Sequence, residues 1–368
     1  MVKTDCRHYL GDKPCPYGYP CDGCGRYDPV GSSVLVLKCR AQGDVLRTTA
    51  LLPGLRRKYP GAWLTWVVDP ESLELVQGNP LIDRVLPLSL EGVLPLAVER
   101  FEALVCLDKE PGIIALASAV RAGHKFGFGM DDRGRLTVFN RAADYAWRLG
   151  MDDELKFQVN ARTYQEVAAE AAEVGYERDE YVYALPEGAA DKAREFLRLH
   201  KLPDDRVNVG LNTGAGSKFL TKQWPEGHFL ALIDLLARTR KANVFLLGGP
   251  REQTLNVSLE KRARGKVLNT GTDNSLTEFA GFLSLMDVVV ASDTLAMHLA
   301  IALKKRVVAL FGPTTPREID LYDRGEKLWA GAGCAPCYKQ TCDDQACMRD
   351  IAPSQVFEAL RRQAGGLR

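Results

Sequence analysis

The sequence predicts two doubly wound α/β domains in tandem, and three observations carry that prediction. Apolar runs of strand length recur along the chain, helix-like stretches separate them, and the same rhythm occurs twice, over residues 31–190 and again over 191–368. A chain of 368 residues with 46% hydrophobic and 26% charged residues can bury two ordinary cores. Its 48 Lys and Arg against 47 Asp and Glu leave a formal net charge of +1, which excludes a polycation and gives no field that would draw nucleic acid.

A Cys, Gly and Pro-rich segment occupies residues 1–30. Val34 to Leu37 then reads as a buried strand, and a turn at Gly43-Asp44 leads into a helical pattern that runs through Lys58. Strands follow at Leu64 to Val68, Val85 to Leu88, Ala103 to Leu107 and Phe126 to Phe128, with helices near Glu71 to Gln77 and Gly112 to Arg121. A polar, partly helical hinge spans residues 131–204 and includes helical stretches at Tyr164 to Val174 and Ala189 to His200. The second half places strands at Val207 to Leu211, Val244 to Leu247, Val288 to Ala291 and Val307 to Phe311, separated by helices near His228 to Arg238, Glu252 to Arg264 and Leu295 to Leu303.

Open parallel sheets bind ligands at the carboxyl ends of their strands, so the loops just after these strands are where chemistry is expected. After the first strand, Asp44 serves either as a helix N-cap or as a general base. The loop Asn212-Thr213-Gly214-Ala215-Gly216-Ser217-Lys218, with Lys222 beyond it, resembles a phosphate cradle but lacks the ending of a P-loop. The chain also lacks the three-glycine dinucleotide fingerprint at its first strand. Gly248 ends a strand where a ligand can approach the backbone. Ser292, Asp293 and Thr294 bring hydroxyls, a carboxylate and amides to a helix start with His298 one turn further in, and Gly312 and Thr314 add another loop with free donors.

These loops, in this order, resemble glycosyltransferase family 9, whose known members are lipopolysaccharide heptosyltransferases. The matching segments are the Gly43-Asp44 turn, Thr221-Lys222-Gln223-Trp224-Pro225, Ser292-Asp293-Thr294 with His298, and Phe311-Gly312-Pro313-Thr314. The resemblance spans roughly Val34 to Leu360 and implies a GT-B architecture, two Rossmann-like domains facing a cleft. It implies a nucleotide sugar, usually ADP-heptose, on the C-terminal domain and a lipopolysaccharide-type acceptor on the N-terminal domain. It implies inverting transfer, with Asp44 as general base and Lys222 as the cation that neutralises the departing diphosphate. Thr213, Gly214, Lys218, Gly248, Ser292, Asp293, Thr294, His298, Gly312 and Thr314 become the phosphate and nucleotide contacts, and Glu226 an adenosine or ribose contact. No cofactor is expected for the chemistry. At Leu295 the chain departs from the family, which usually has glycine after Asp-Thr, and the bulkier residue narrows the room near the phosphates.

Eight of the ten cysteines fall in two groups of four, Cys6, Cys15, Cys21 and Cys24, then Cys334, Cys337, Cys342 and Cys347 within the loop 334–347. Each group suits either a zinc site or an iron–sulfur cluster, and free thiols or disulfides are the alternative. Cys39 and Cys106, beside strands, are expected to be small core residues. With neither a signal peptide nor an apolar run of about 18 residues, the chain is expected in the cytoplasm, at most peripheral to the inner membrane. Two other functions fit the same loops: transfer of a different sugar, or non-catalytic nucleotide binding by a protein whose cysteine-held metal sites are primary.

Overall fold

The computed structural model describes residues 1–18, 20–203, 205–216 and 218–367. Two units divide the chain, Met1–Asp152 with Gln165–Asp179 and Asp153–Tyr164 with Glu180–Arg368.

In the first unit, β1 (Ser33–Leu37), β2 (Trp63–Val68), β3 (Arg84–Pro87), β4 (Arg100–Cys106), β5 (Arg121–Met130) and β6 (Leu136–Val138) form one sheet in the order β3-β2-β1-β4-β5-β6. All neighbours are parallel except β5 and β6. Val34 to Leu37 are all buried, as expected of a parallel strand covered on both faces. Leu35, Leu37, Leu104 and Ile113 belong to the core of this unit.

The helical pattern expected through Lys58 is two helices, Gln42–Thr48 and Leu52–Lys58, joined by a tighter helical turn at Thr49–Leu51. Thr48 and Thr49 turn their hydroxyls back onto the carbonyls of Asp44 and Leu46, and Pro53 brings no N–H to the second helix's first turn. Strand β5 reaches back to Arg121 through a polar, partly exposed start that hides its period in the sequence.

The second unit has β7 (Val207–Asn212), β8 (Ala242–Leu247), β9 (Leu268–Asn269), β10 (Val288–Ser292), β11 (Arg306–Phe311) and β12 (Gly325–Trp329), all parallel, in the order β12-β11-β10-β7-β8-β9. Counted from its own first strand, this is the order of the first unit. In both, chain direction across the sheet reverses beside the first strand, between β1 and β4 and between β7 and β10. Such a reversal leaves a crevice outside the carboxyl ends of the strands. The core gathers Val209, Leu211, Leu246, Val290 and Leu310, with Trp224 sealed beneath and its indole N–H donated to the Ile351 carbonyl at 3.0 Å.

The sequence places the domain boundary at 190/191, whereas the division falls at Asp179/Glu180, with Asp153–Tyr164 belonging to the second unit as well. Side chains explain the shift. Arg57 donates two hydrogen bonds to Asp179 within the first unit, at 2.9 and 2.6 Å. Arg324 grips Glu180 by two bonds of 2.8 Å within the second, where Tyr181 is also buried.

Residues 1–30 belong to the first unit. Arg7 anchors them, donating to Asp83 and to the Gly61 carbonyl and lying over the Trp63 ring. No helix among the described residues is long and apolar enough to cross a membrane.

Candidate active site

The crevice of the first unit opens where Lys38 follows β1. Only 4% of Lys38 is exposed, and its ammonium pairs with Asp108, which follows β4 and is 3% exposed. Asp108 also accepts the backbone N–H groups of Cys39 and Arg40, so one carboxylate fixes the first residues of the loop. Burial pushes the Asp108 carboxyl up from its ordinary range, against the opposing pull of Lys38 and the two amides.

Past this pair the chain turns at Ala41, whose φ of 60° lies in the region that favours glycine. Ala41 is the N-cap, so the cap reading of Asp44 and the turn expected at Gly43 are both corrected: Gly43 and Asp44 stand inside the first turn of Gln42–Thr48. Asp44 is therefore free of capping duty and partly exposed, with Arg47 at 3.0 Å and Lys38 at 3.9 Å. Cys39 and Cys106 are fully buried, and burial pushes the Cys106 thiol up to about 12, so both are inert packing groups.

The crevice of the second unit is built from loops that end β7, β8, β10 and β11. Lys222 donates to the Asp293 carbonyl at 2.7 Å and to its carboxylate at 3.0 Å. A lysine has three donors, so one remains for a ligand oxygen. Ser292 donates to the Lys222 carbonyl at 2.8 Å, which fixes the backbone beneath the cation. Asn212, at the end of β7, donates to the Gly214 carbonyl at 3.2 Å and reaches Thr294 at 3.5 Å. Thr294 is the N-cap of Leu295–Ala302 and makes no side-chain cap bond to the amides of that first turn. His298 is 4% exposed, with Nδ1 sharing a hydrogen bond of 3.2 Å with the Tyr181 hydroxyl and Nε2 standing 3.7 Å from Asp293.

Thr314, 2% exposed, holds a buried hydroxyl with no hydrogen-bond partner among the described residues. An orphaned polar group at a strand end is satisfied when a ligand oxygen arrives.

Other expected contacts lie elsewhere. Thr213 is fully buried, its hydroxyl committed to Asn256 at 2.5 Å and its N–H to the Leu247 carbonyl, so it supports the loop from within. Gly312 is required by packing: a Cβ there would stand 2.5 Å from the Met348 sulfur and 3.0 Å from that of Cys347. Lys218 is exposed over the Phe219 ring, and Ser217 beside it lies outside the described residues. Glu226 has its carboxylate engaged within the fold, accepting Ser258 at 2.7 Å and Arg262 at 2.8 Å.

The residue missed in the sequence is Glu252. A Cβ at Gly248 would stand 2.8 Å from Glu252, one at Gly214 would stand 3.1 Å from its carboxyl carbon, and Glu252 accepts the Gly249 N–H at 2.9 Å. Two glycines thus make room for one carboxylate at the ends of β7 and β8. The signal was a Glu close behind Gly248-Gly249-Pro250, where an acid at a helix start passes for ordinary dipole chemistry.

The C-terminal cysteines follow β12, with Cys347 buried in the short helix Ala346–Arg349. Burial and the neighbouring Cys337, Cys334 and Cys342 push the Cys347 thiol upward. Thr221 donates to the Lys339 carbonyl at 2.7 Å and ties this loop to the segment that carries Lys222. Among the described residues, no three His, Cys, Asp or Glu side chains stand as a closed metal site.

Two Rossmann-ordered units, one presenting a carboxylate beside its first strand and the other a lysine with hydroxyls and helix amides, define a glycosyltransferase of the GT-B class. The sequence model of glycosyltransferase family 9 (heptosyltransferase) matches residues 110–347, and the chain belongs to that family. It is 27% identical over 349 residues to lipopolysaccharide heptosyltransferase 1 of Pseudomonas aeruginosa, covering 90% of this chain and 92% of the relative. Among solved structures it is similar to a family 9 glycosyl transferase of Veillonella parvula, with a TM-score of 0.74, 19% identity and coverage of 90% and 97%. It is also similar to the ADP-heptose lps heptosyltransferase II of Escherichia coli, with a TM-score of 0.64, 18% identity and coverage of 90% and 98%.

Proposed function

We propose that this glycosyltransferase moves a heptose from ADP-heptose to the inner-core sugar of a lipopolysaccharide-type acceptor, with inversion. The observation that supports the donor side is Lys222, held on Asp293 at the carboxyl ends of the second unit's strands beside the start of Leu295–Ala302. The name of the Escherichia coli enzyme supports ADP-heptose as the donor.

In the reaction the acceptor hydroxyl oxygen attacks the anomeric carbon and forms the new C–O bond. The bond from that carbon to the β-phosphate oxygen breaks, and its electron pair leaves with ADP. Asp44 takes the hydroxyl proton. Lys222 stabilises the charge that collects on the diphosphate, the largest lever available where no proton transfer helps the leaving group. Glu252, held beside Gly214 and Gly248, is the ribose contact in this reading, in place of Glu226. The loop of Cys334, Cys337, Cys342 and Cys347 is structural, and a thiophilic ion held there would stiffen the segment tied to Thr221. A glycolipid acceptor places the work at the cytoplasmic face of the inner membrane.

Calorimetry with ADP, UDP and GDP tests the donor, followed by turnover with ADP-heptose on inner-core acceptors. Selective ADP binding with transfer is the expected result. Preference for UDP or GDP would mean another sugar, and no diphosphate binding at all would remove the donor reading.

A further inference from the structure

We propose that the N-terminal segment is a metal-binding module, in which Cys6, Cys15, Cys21 and Cys24 hold a thiophilic metal centre as four thiolates.

The first observation is convergence. The four cysteines are spread over residues 6–24, and all line one cavity of about 290 Å³. All four are free thiols. One water needs only about 15 Å³ of such space, so the cavity has room for a polynuclear iron–sulfur core as well as for a single ion. The thiols do not stand closed around a point. Each rides on a single side-chain rotor, and zinc at about 2.3 Å or iron at similar range would draw them in.

The second observation is the backbone. Each of the four cysteines begins a tight turn in which its carbonyl accepts the N–H three residues on: Cys6 from Tyr9 at 2.9 Å, Cys15 from Gly18 at 2.9 Å, Cys21 from Cys24 at 3.1 Å and Cys24 from Tyr27 at 3.3 Å. Gly18 and Gly23 take φ of 80° and 76°, so the turns after Cys15 and Cys21 close where an L side chain would be strained. Four such turns point short side chains inward while the backbone wraps around them.

The third observation is energetic. Among the described residues of 1–30 none joins the buried apolar core, and one isolated bridge, Cys6 to Pro29, is their strand-like pairing. A segment this small without an apolar centre needs a staple, and a metal supplies one.

Charge fits as well. Four thiolates with one divalent ion carry two negative charges, as do four thiolates on a cubane cluster at its usual oxidation level. Lys3, Lys13 and Arg26 line the cavity against the single carboxylate of Asp12. Binding releases four thiol protons, so it weakens as pH falls. Cys6 precedes Arg7, the residue that clamps the segment to Asp83 and Gly61. Ligation at Cys6 therefore stiffens the anchor itself.

The test is metal and acid-labile sulfide analysis of the full chain purified without oxygen. Two variants accompany it, one with Cys21→Ser and Cys24→Ser, the other with Cys334, Cys337, Cys342 and Cys347 all changed to Ser. About one centre per chain is expected to survive in the second variant and to fall at least tenfold in the first. Iron with matching sulfide identifies a cluster, and zinc or iron alone identifies a single-ion site; both bear the module out. Retained ADP binding shows that the first variant is folded. Should it not fold, the C-terminal variant is stripped with chelator and titrated with Co²⁺, and thiolate charge-transfer bands at one equivalent take its place. The proposal is overturned by metal that tracks only the C-terminal cysteines. It is equally overturned by disulfides among the four N-terminal cysteines, or by a chain that stays metal-free after incubation with Zn²⁺ or with Fe²⁺ and sulfide.

Discussion

The two units run their strands in the same order and open a crevice at the same reversal, yet the crevices are filled differently. In the first, the cation is inside: Lys38 is buried against Asp108, and the group left to meet solvent is the Asp44 carboxylate, 37% exposed. In the second, the lysine comes from a loop and leans over the strand ends, with hydroxyls and helix amides around it. One scaffold therefore presents a carboxylate in one copy and a lysine among hydroxyls in the other. The difference lies wholly in loops a few residues long, because the sheet fixes where the crevice is and the loops fix what it does.

That contrast can be broken at its strongest point first. Asp44→Asn keeps the shape and removes the base, so turnover should fall by about 10³-fold or more while ADP affinity stays within twofold. Near-normal turnover in this variant would leave the first crevice without a catalytic role. Next in size, Lys38→Met strands the buried Asp108 carboxylate and should cost about 3–5 kcal/mol in urea unfolding of the first unit. An unfolding curve that does not move would show the pair to be dispensable.

Lys222→Ala should lower turnover by about 10²-fold and weaken ADP, whereas equal losses for ADP and adenosine would separate this lysine from the phosphates. Glu252→Gln should weaken ADP about tenfold and Glu226→Gln by less than twofold, since only the former stands among the strand-end glycines. The reverse ranking would restore Glu226. Smallest is Thr314→Val, which removes a hydroxyl with no partner among the described residues: ADP should weaken about fivefold with the melting temperature unchanged or raised. Unaltered ADP binding would make that hydroxyl a mere vestige.

Strands were legible in the sequence where burial on both faces made them continuous, as in Val34 to Leu37 and Val288 to Ala291. They were illegible where the partner supplied the reason. Gly325–Trp329 reads as a polar loop and becomes β12 only because Val307 to Phe311 lies beside it. In the site, Asp44, Lys222 and Asp293 stood out by position after a strand. Thr213, Gly312 and Glu226 carried the right residue type, and what each touches only the fold determines: Asn256, Met348 and Arg262 are all distant in sequence. Glu252 was hidden for the same reason, since its distinction is the pair of glycines that yield to it.

Asp179 and Glu180 are neighbours in the chain, each gripped by an arginine of its own unit. The consequence concerns divisibility. A fragment cut at 190/191 would carry residues 180–190 away with the first unit, leaving Arg324 without its carboxylate and His298 without the Tyr181 hydroxyl. A cut at 179/180 keeps both clamps but still severs neither unit cleanly, because the chain has already changed units around Asp153–Tyr164. Expressing either half alone therefore requires a spliced chain rather than a truncated one.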